Sequence, residues 1–246
     1  MAHLSQQAGA HAELANYAVT GAQLGVEEAK VSAGLFGTTV ELIVEDAVTA
    51  ENALATAGKL VAQRGISAVI GAVDDELTSL LSAFTQEHRV MFLNAAARGG
   101  ERRNAKCHRY TFHVEPDLAM HVHALGQWLL QHERKRWYFV ISGAPLGAEI
   151  RRRASQWLQS RGGVDLGRFA GSSGRQDYQP ALEHLDRVQA DAVFVALPGE
   201  DLQCFMAQYQ TSGLTGWLGG APVDIVTMWK IGSAQLSGVW ATSWYH

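Results

Sequence analysis

Short apolar runs alternate with helix-periodic stretches along almost the whole of this chain. Runs such as SAVIGA (67–72) and DAVFVAL (191–197) carry apolar residues without regular alternation, which is typical of strands that are buried on both faces. Strands that are separated by helices pair in parallel through right-handed crossovers, because a tight turn cannot return the chain to a parallel neighbour. The pattern therefore predicts an α/β fold with doubly wound, Rossmann-like sheets.

The chain is long enough for two such sheets, since it has 246 residues and domains commonly contain about 100–150. All seven tryptophans fall in the second half, from Trp128 to Trp244. This shift in composition predicts two α/β lobes, residues 1–116 and 117–246, joined by strand-like hinges. The tail segments DIVTMW (224–229) and SGVWATSWYH (237–246) are expected to be extended.

Charge and motifs argue against several functions. The net charge of −4, from 20 basic and 24 acidic side chains, does not favour nucleic acid as a partner. Gly143-Ala-Pro-Leu-Gly147 lacks the GxGxxG pattern of dinucleotide sites, and Gly171-Ser-Ser-Gly174 lacks the GxSxG pattern of a nucleophile elbow. His121 and His123 are two positions apart on a predicted helix and cannot chelate one ion together. We therefore expect neither a cofactor nor a metal.

The sequence shows no membrane or targeting signal. No apolar run approaches the roughly 20 residues that a membrane-spanning helix needs. The first residues, MAHLSQQAGAHAEL, lack the basic and apolar regions of a secretory signal. Either the protein is cytoplasmic, or its signal lies outside this sequence.

Open α/β sheets bind ligands at the carboxyl ends of their strands, so the loops there are the candidate site. Four loops qualify: 71–76, 93–100, 142–147 and 197–200. The first contains Asp74, Asp75 and Glu76, which suit either a helix cap or a catalytic acid/base pair. The sequence offers the pair no orienting partner.

Several motifs resemble, in order and spacing, those of type I periplasmic binding proteins, within them the branched-chain amino-acid-binding group of ABC transport systems. The motifs run along nearly the whole chain. They are GAQLGVEEAKVSAGLFGTTVELIVED (21–46), SAVIGAVDD (67–75), MFLNAAAR (91–98), TFHVEPD (111–117), GSSGRQDYQPALEHLDRVQADAVFVAL (171–197) and the tail LSGVWATSWY.

The resemblance implies a solute-binding component of an ABC-type importer, with a membrane permease as its partner and the periplasm as its location. It also implies a small-molecule ligand held without catalysis between two lobes that close by hinge motion. The ligand contacts that it implies in the first lobe are Asp74, Asp75, Asn94, Ala96, Ala97 and Arg98. Those that it implies in the second lobe are Leu146, Pro198, Gly199 and Ala221.

The chain departs from the family pattern at several of these positions. Asp74 or Asp75 replaces a serine that grips the carboxylate of an amino-acid ligand, and two carboxylates repel each other when desolvated. Arg98 replaces a threonine and can grip an anion with two hydrogen bonds. Ala221 replaces the acidic residue that receives the ligand ammonium group. An ordinary branched-chain amino acid is therefore not expected, and the ligand is expected to be a small polar molecule, either amino-acid-like or another small metabolite.

Two other functions stay open: a cytoplasmic ligand-sensing regulator of the same fold, similar to amide sensors, and a small α/β hydrolase or transferase that uses Asp74 and Asp75. We also expect the first lobe to be incomplete. Both its opening strand and the return of the chain after the crossover near 239–245 are expected to be missing.

Overall fold

The computed structural model describes residues 1–5, 12–47, 49–71, 75–95, 97–100, 103–172, 174, 177–223, 225–232 and 235–241. The chain divides into two compact units, Met1–Asp117 and Leu118–His246. Among the described residues, each unit has a five-stranded sheet in which every strand pairs in parallel with its neighbours. The predicted fold class is confirmed.

The described residues of the first unit form five strands and three helices. In chain order they are β1 (Ala2–Ser5), α1 (Ala12–Leu35), β2 (Ile43–Asp46), α2 (Ala50–Arg64), β3 (Ala68–Gly71), α3 (Asp75–His88), β4 (Met91–Asn94) and β5 (Thr111–His113). The strand order in the sheet is β2-β1-β3-β4-β5. Helices α2 and α3 cover one sheet face, on which Leu4, Val69 and Phe92 are fully buried.

The expectation that the opening strand is missing is wrong, because Ala2–Ser5 forms β1 at an inner position of the sheet. Its residues pair with both neighbours: Leu4 is aligned with Glu45 on β2 and with Gly71 on β3. The strand has only four residues and contains a histidine, so it lacks a recognisable apolar run. His3 is nevertheless 0% exposed.

Burial lowers the pKa of His3 below the usual value of 6.5, because a charged imidazole loses its hydration inside the unit. As the pH falls below that value, the unfolded chain binds a proton at His3 before the folded chain does. The contribution of His3 to stability is therefore complete above its unfolded pKa of 6.5 and is lost as the pH falls through the lower folded value. We expect the urea midpoint of the wild type to decrease between about pH 7 and about pH 5.

The substitution His3→Gln should make this decrease shallower, because glutamine does not titrate. The matched control is His88→Gln, at an exposed histidine in the last turn of α3, which should keep the wild-type slope. Equal slopes for the wild type and His3→Gln would show that protonation of His3 does not cause the decrease in stability.

In the part of the second unit that the structure describes, there are five strands and five helices. They are α4 (Leu118–Gln131), β6 (Arg136–Ser142), α5 (Pro145–Gln159), β7 (Val164–Gly171), α6 (Gln179–Val188), β8 (Ala192–Ala196), α7 (Gly199–Thr211), β9 (Trp217–Gly220), α8 (Ile225–Ile231) and β10 (Val239–Trp240). The strand order is β10-β9-β8-β6-β7. Successive residues of β6 enter two separate apolar clusters, since Trp137 and Phe139 lie in one and Tyr138 and Val140 in the other. Strands β6 and β8 are thus buried on both faces, as predicted.

The expectation that DIVTMW is extended is wrong, because α8 spans Ile225–Ile231. Asp224 lies outside the described residues. Within the parts of the chain that the structure describes, no helix has both the length and the apolar character needed to cross a membrane.

Candidate functional site

In the first unit, the predicted site residues that the structure describes lie at the carboxyl edge of the sheet. Gly71 at the end of β3 is aligned with Asn94 at the end of β4. Asp75 is the first residue of α3, and Ala97 and Arg98 follow β4. Asp74 and Ala96 lie outside the described residues.

Asn94 holds the loop after β4 in place. It is 1% exposed, and its Nδ2 donates to the carbonyl oxygen of Ala97 at 2.8 Å. Its Oδ1 accepts the backbone amide of Ala97 at 3.0 Å, and Nδ2 also lies 2.9 Å from Nδ1 of His113 on β5. The amide group therefore closes a tight turn and ties it to the edge strand.

Asp75 joins two of the predicted loops. Its Oδ1 accepts the backbone amide of Gly99 at 3.1 Å, although the two residues are 24 positions apart in sequence. The exposed carboxylate thereby anchors the segment that carries Arg98 to the first turn of α3. The structure thus brings Asp75 and Arg98 into one neighbourhood.

Arg98 lies beside a buried carboxylate that the sequence prediction did not include. Its Nε is 3.5 Å from Oε2 of Glu115, whose side chain is 4% exposed, whereas the side chain of Arg98 is 27% exposed. Arg103 donates from Nη2 to the carbonyl oxygen of Glu115. Glu115 belongs to the TFHVEPD motif, but the resemblance did not imply a contact between Glu115 and Arg98.

The two hydrogen bonds between the side chain of Asn94 and the backbone of Ala97 should stabilise the first unit. We expect Asn94→Ala to lower the free energy of unfolding by about 1–3 kcal/mol, because it leaves the buried backbone groups of Ala97 without partners. The control is Asn104→Ala, at an exposed asparagine that donates to the carbonyl oxygen of Gly100 at 3.1 Å; its effect should stay within about 0.5 kcal/mol. Urea denaturation measures both variants, and equal losses would contradict the structural role of Asn94.

In the second unit, the predicted residues also lie at the carboxyl ends of parallel strands. Leu146 is in the first turn of α5 after β6 and is 55% exposed. Pro198 is the N-cap of α7 after β8, and Gly199 is the first residue of that helix. Ala221 follows β9 and is 0% exposed. Strand β8 lies between β6 and β9, so the three loops leave neighbouring strands.

The turn that presents Leu146 depends on Gly147. A Cβ atom at Gly147 would lie 2.1 Å from the carbonyl oxygen of Ser142, the last residue of β6. The hydroxyl of Ser142 accepts the backbone amide of Ala144 at 3.2 Å. Only glycine permits this close approach, which fixes the first turn of α5 against the strand end.

Hydrogen bonding and burial account for the shifted pKa values of two ionisable groups in the second unit. Glu149 on α5 has its pKa lowered to about 2, chiefly by hydrogen bonding to Arg152 and also by Arg153. Burial raises the pKa of Tyr209 to about 12, and its hydroxyl donates to the carbonyl oxygen of Gly216 at 2.6 Å. Among the described residues, no three His, Cys, Asp or Glu side chains are placed to hold a metal ion.

Known structures resemble this chain over nearly its whole length. A branched-chain amino acid ABC transporter periplasmic ligand-binding protein from Burkholderia xenovorans LB400 has a TM-score of 0.89 and 20% identity over 99% of this chain and 66% of its own. An amino acid ABC transporter substrate-binding protein from Pseudomonas fluorescens Pf-5 has a TM-score of 0.82 and 18% identity over 100% and 67%.

A third similar structure is an ABC transporter solute-binding protein from R. palustris, in complex with benzoate. It has a TM-score of 0.69 and 18% identity over 89% of this chain and 61% of its own. This chain thus spans about two thirds of the length of the structures it resembles, or slightly less. No curated protein sequence matches it significantly.

The family comparison agrees with the motifs. The family model described as "Periplasmic binding protein" matches residues 1–246. The fold, two units each with a parallel sheet, is that of the similar structures. The chain therefore belongs to the periplasmic binding protein family.

Proposed function

We propose that this chain is the solute-binding component of an ABC-type importer, and that it captures a small polar molecule without catalysis. The main support is the position of the described candidate residues: in both units they occupy loops at the carboxyl ends of parallel strands, where α/β sheets bind ligands. The proposal includes a membrane permease as the partner and the periplasm as the location, since similar proteins are named as periplasmic components of ABC transporters.

The ligand that we propose is a small carboxylate without an α-ammonium group. Arg98 is paired through Nε with Glu115 at 3.5 Å, but its side chain is 27% exposed and its guanidinium has four further N–H donors for a carboxylate at the edge of the first sheet. Ala221, at the position where the family pattern has an acidic residue, offers no anion to an ammonium group. Two similar solute-binding proteins from R. palustris are described in complexes with benzoate and 4-hydroxybenzoate, which are aromatic carboxylates.

The two other functions, a cytoplasmic ligand-sensing regulator and a small α/β hydrolase or transferase, have less support. The similar structures are named as ABC transporter or periplasmic binding proteins, which favours import over the regulatory function of an amide sensor. A hydrolase would use Asp75 as an acid or base, but this carboxylate accepts the amide of Gly99 and so has a structural role.

Thermal unfolding with a ligand panel tests the proposal. The panel contains benzoate, 4-hydroxybenzoate, short aliphatic carboxylates and the branched-chain amino acids. At about 100 times its dissociation constant, a ligand stabilises the folded chain by about 2.7 kcal/mol. This corresponds to an increase in Tm of roughly 5–10 °C for a protein of this size. At least one carboxylate should produce this shift, and the branched-chain amino acids should not; no shift with any carboxylate would contradict the ligand class.

The variant Arg98→Ala tests the role of the cation in the same assay. Loss of a charge-assisted hydrogen bond should weaken binding by about 10- to 100-fold, which corresponds to about 1.5–3 kcal/mol. Because removing Arg98 also affects Glu115, the quantity compared is the ligand-induced shift and not the Tm of the free protein. Arg109→Ala, at an exposed arginine in the same unit, should bind like the wild type.

A further inference from the structure

The backbone of Arg98 is held in place on both sides. The residue before it, Ala97, is hydrogen-bonded through its amide and its carbonyl oxygen to the buried side chain of Asn94, at 3.0 Å and 2.8 Å. The residue after it, Gly99, donates its amide to Oδ1 of Asp75 at 3.1 Å. Because both neighbours are fixed by side chains, the Cα atom of Arg98 has little freedom to move.

Glu115 fixes the side chain of Arg98. Nε of Arg98 lies 3.5 Å from Oε2 of Glu115, and the side chain of Glu115 is 4% exposed whereas that of Arg98 is 27% exposed. The backbone of Glu115 is fixed in turn, because Arg103 donates from Nη2 to its carbonyl oxygen. The carboxylate is therefore inside the unit, while the arginine side chain reaches solvent.

The contact through Nε decides which donors of Arg98 are left for a ligand. A guanidinium carries N–H donors on Nε and on both Nη atoms, and it grips a carboxylate best through two parallel N–H groups. Since Glu115 engages Nε, the two Nη atoms are the pair that can grip a second carboxylate. Lysine could not replace Arg98 in this arrangement, because its ammonium group is a single point charge without a planar fork.

We infer that Glu115 is the positioning residue of the proposed anion site: it holds Nε of Arg98 so that the two Nη atoms receive one carboxylate of the ligand end-on. The inference rests on the proposed function, because it concerns the same site and the same class of ligand. An arginine side chain loses rotamer freedom when a ligand orders it. Glu115 removes that cost by ordering the side chain before the ligand arrives.

Glu115 has two opposed effects on the affinity for an anion. Its negative charge repels an anionic ligand, so charge alone predicts tighter binding when Glu115 is removed. Its contact with Nε orders Arg98, so positioning predicts weaker binding. The substitutions Glu115→Ala and Glu115→Gln separate the two effects, because glutamine keeps an oxygen acceptor and lacks the charge.

Isothermal titration calorimetry of the full chain with benzoate measures these effects. We expect Glu115→Ala to bind benzoate about 3- to 10-fold more weakly than the wild type, and Glu115→Gln to bind it at least as tightly. Arg98→Lys should weaken binding about tenfold, although it keeps the positive charge. Glu115→Ala binding as tightly as the wild type, or more tightly, overturns the inference.

Asp165→Ala is the matched control. Asp165 is 8% exposed and pairs at 2.8 Å with Arg151, which is 25% exposed, so the burial of this pair is close to that of Glu115 and Arg98. It lies near the start of β7, whereas the candidate residues follow strand ends. Circular dichroism establishes that each variant is folded. Asp165→Ala should bind benzoate like the wild type, and equal weakening by Asp165→Ala and Glu115→Ala overturns the specific role of Glu115.

The Nε–H resonance of Arg98 tests the positioning without a ligand. In heteronuclear NMR spectra of the free chain, Arg98→Lys identifies this resonance by its disappearance. We expect its hydrogen exchange to be about tenfold slower than that of the exposed Arg109 in the wild type, and as fast as that of Arg109 in Glu115→Ala. Equally fast exchange at both arginines in the wild type overturns the inference.

The two measurements distinguish failure of the inference from failure of the proposed function. If Nε–H of Arg98 is protected but no carboxylate of the thermal-unfolding panel stabilises the chain, the proposed ligand class is contradicted and the positioning of Arg98 by Glu115 is supported. If benzoate binds and Arg98→Ala abolishes the binding while Glu115→Ala leaves it unchanged, the anion site is supported and Glu115 is not its positioning residue.

Discussion

Substituting alanine for Gly71 is expected to destabilise the chain by about 3–5 kcal/mol, a large part of the 5–15 kcal/mol that stabilises a typical protein. Gly71 ends β3 and has φ +133, a conformation that side chains rarely adopt. A Cβ atom there would lie 2.1 Å from the carbonyl oxygen of Leu4, which is 0% exposed on β1. Because Leu4 is fixed between two neighbouring strands, the backbone cannot yield without loss of strand pairing.

The control Gly65→Ala separates backbone strain from the steric clash. Gly65 is the C-cap of α2 with φ +57, and a Cβ atom there would meet nothing within 4 Å. We therefore expect a loss of only about 1 kcal/mol. Urea unfolding followed by circular dichroism gives both values, and hydrogen exchange should show reduced protection in β1 and β3 for Gly71→Ala alone. Similar losses for the two variants would mean that the contact with Leu4 is not as close as the structure has it.

Elements with local end signals could be predicted from the sequence. Helix α2 spans Ala50–Arg64, and sequence signals mark both of its ends. Thr49 caps its first turn by accepting the amide of Asn52 at 3.2 Å, and Gly65 ends it in the left-handed conformation. Both signals are encoded within a few residues, so no tertiary contact is needed to recognise them.

Elements that depend on distant contacts could not be predicted. Strand β9 ends in two glycines, which have low strand propensity; a Cβ atom at Gly220 would lie 2.3 Å from the ring of Trp240, so glycine is required by packing. The apolar run that becomes α8 has no clear period and fits a helix or a strand equally well.

The contacts within the candidate site could not be predicted from the sequence either. The rule for open sheets located the loops that carry Asp75, Asn94 and Arg98. It could not indicate that Asp75 accepts the amide of Gly99 or that Glu115 lies beside Arg98, because these contacts join segments separated by 24 and 17 residues. Local sequence therefore predicts where the loops begin, while tertiary contacts decide which side chains are available to a ligand.

Truncation of Trp137 to alanine is expected to destabilise the second unit by about 3–5 kcal/mol, because it opens a cavity in the middle of the sheet. Trp137 is 0% exposed on β6, and its ring centroid lies 5.7 Å from that of Phe194 and 6.2 Å from that of Trp157. Its Nε1 also donates to the carbonyl oxygen of Arg134 at 2.6 Å. Trp137→Phe keeps most of the apolar volume and loses the hydrogen bond, so its cost should be intermediate, about 1–3 kcal/mol.

Trp229→Ala is the matched control, because it removes the same side chain from a position that is 66% exposed on α8. Its effect should stay within about 0.5 kcal/mol. Urea denaturation followed by circular dichroism should rank the three variants as Trp137→Ala, Trp137→Phe and Trp229→Ala, from the largest loss to the smallest. If Trp137→Ala and Trp229→Ala cost the same, Trp137 is not in the centre of a packed core, and the arrangement of β6 between β7 and β8 would have to be revised.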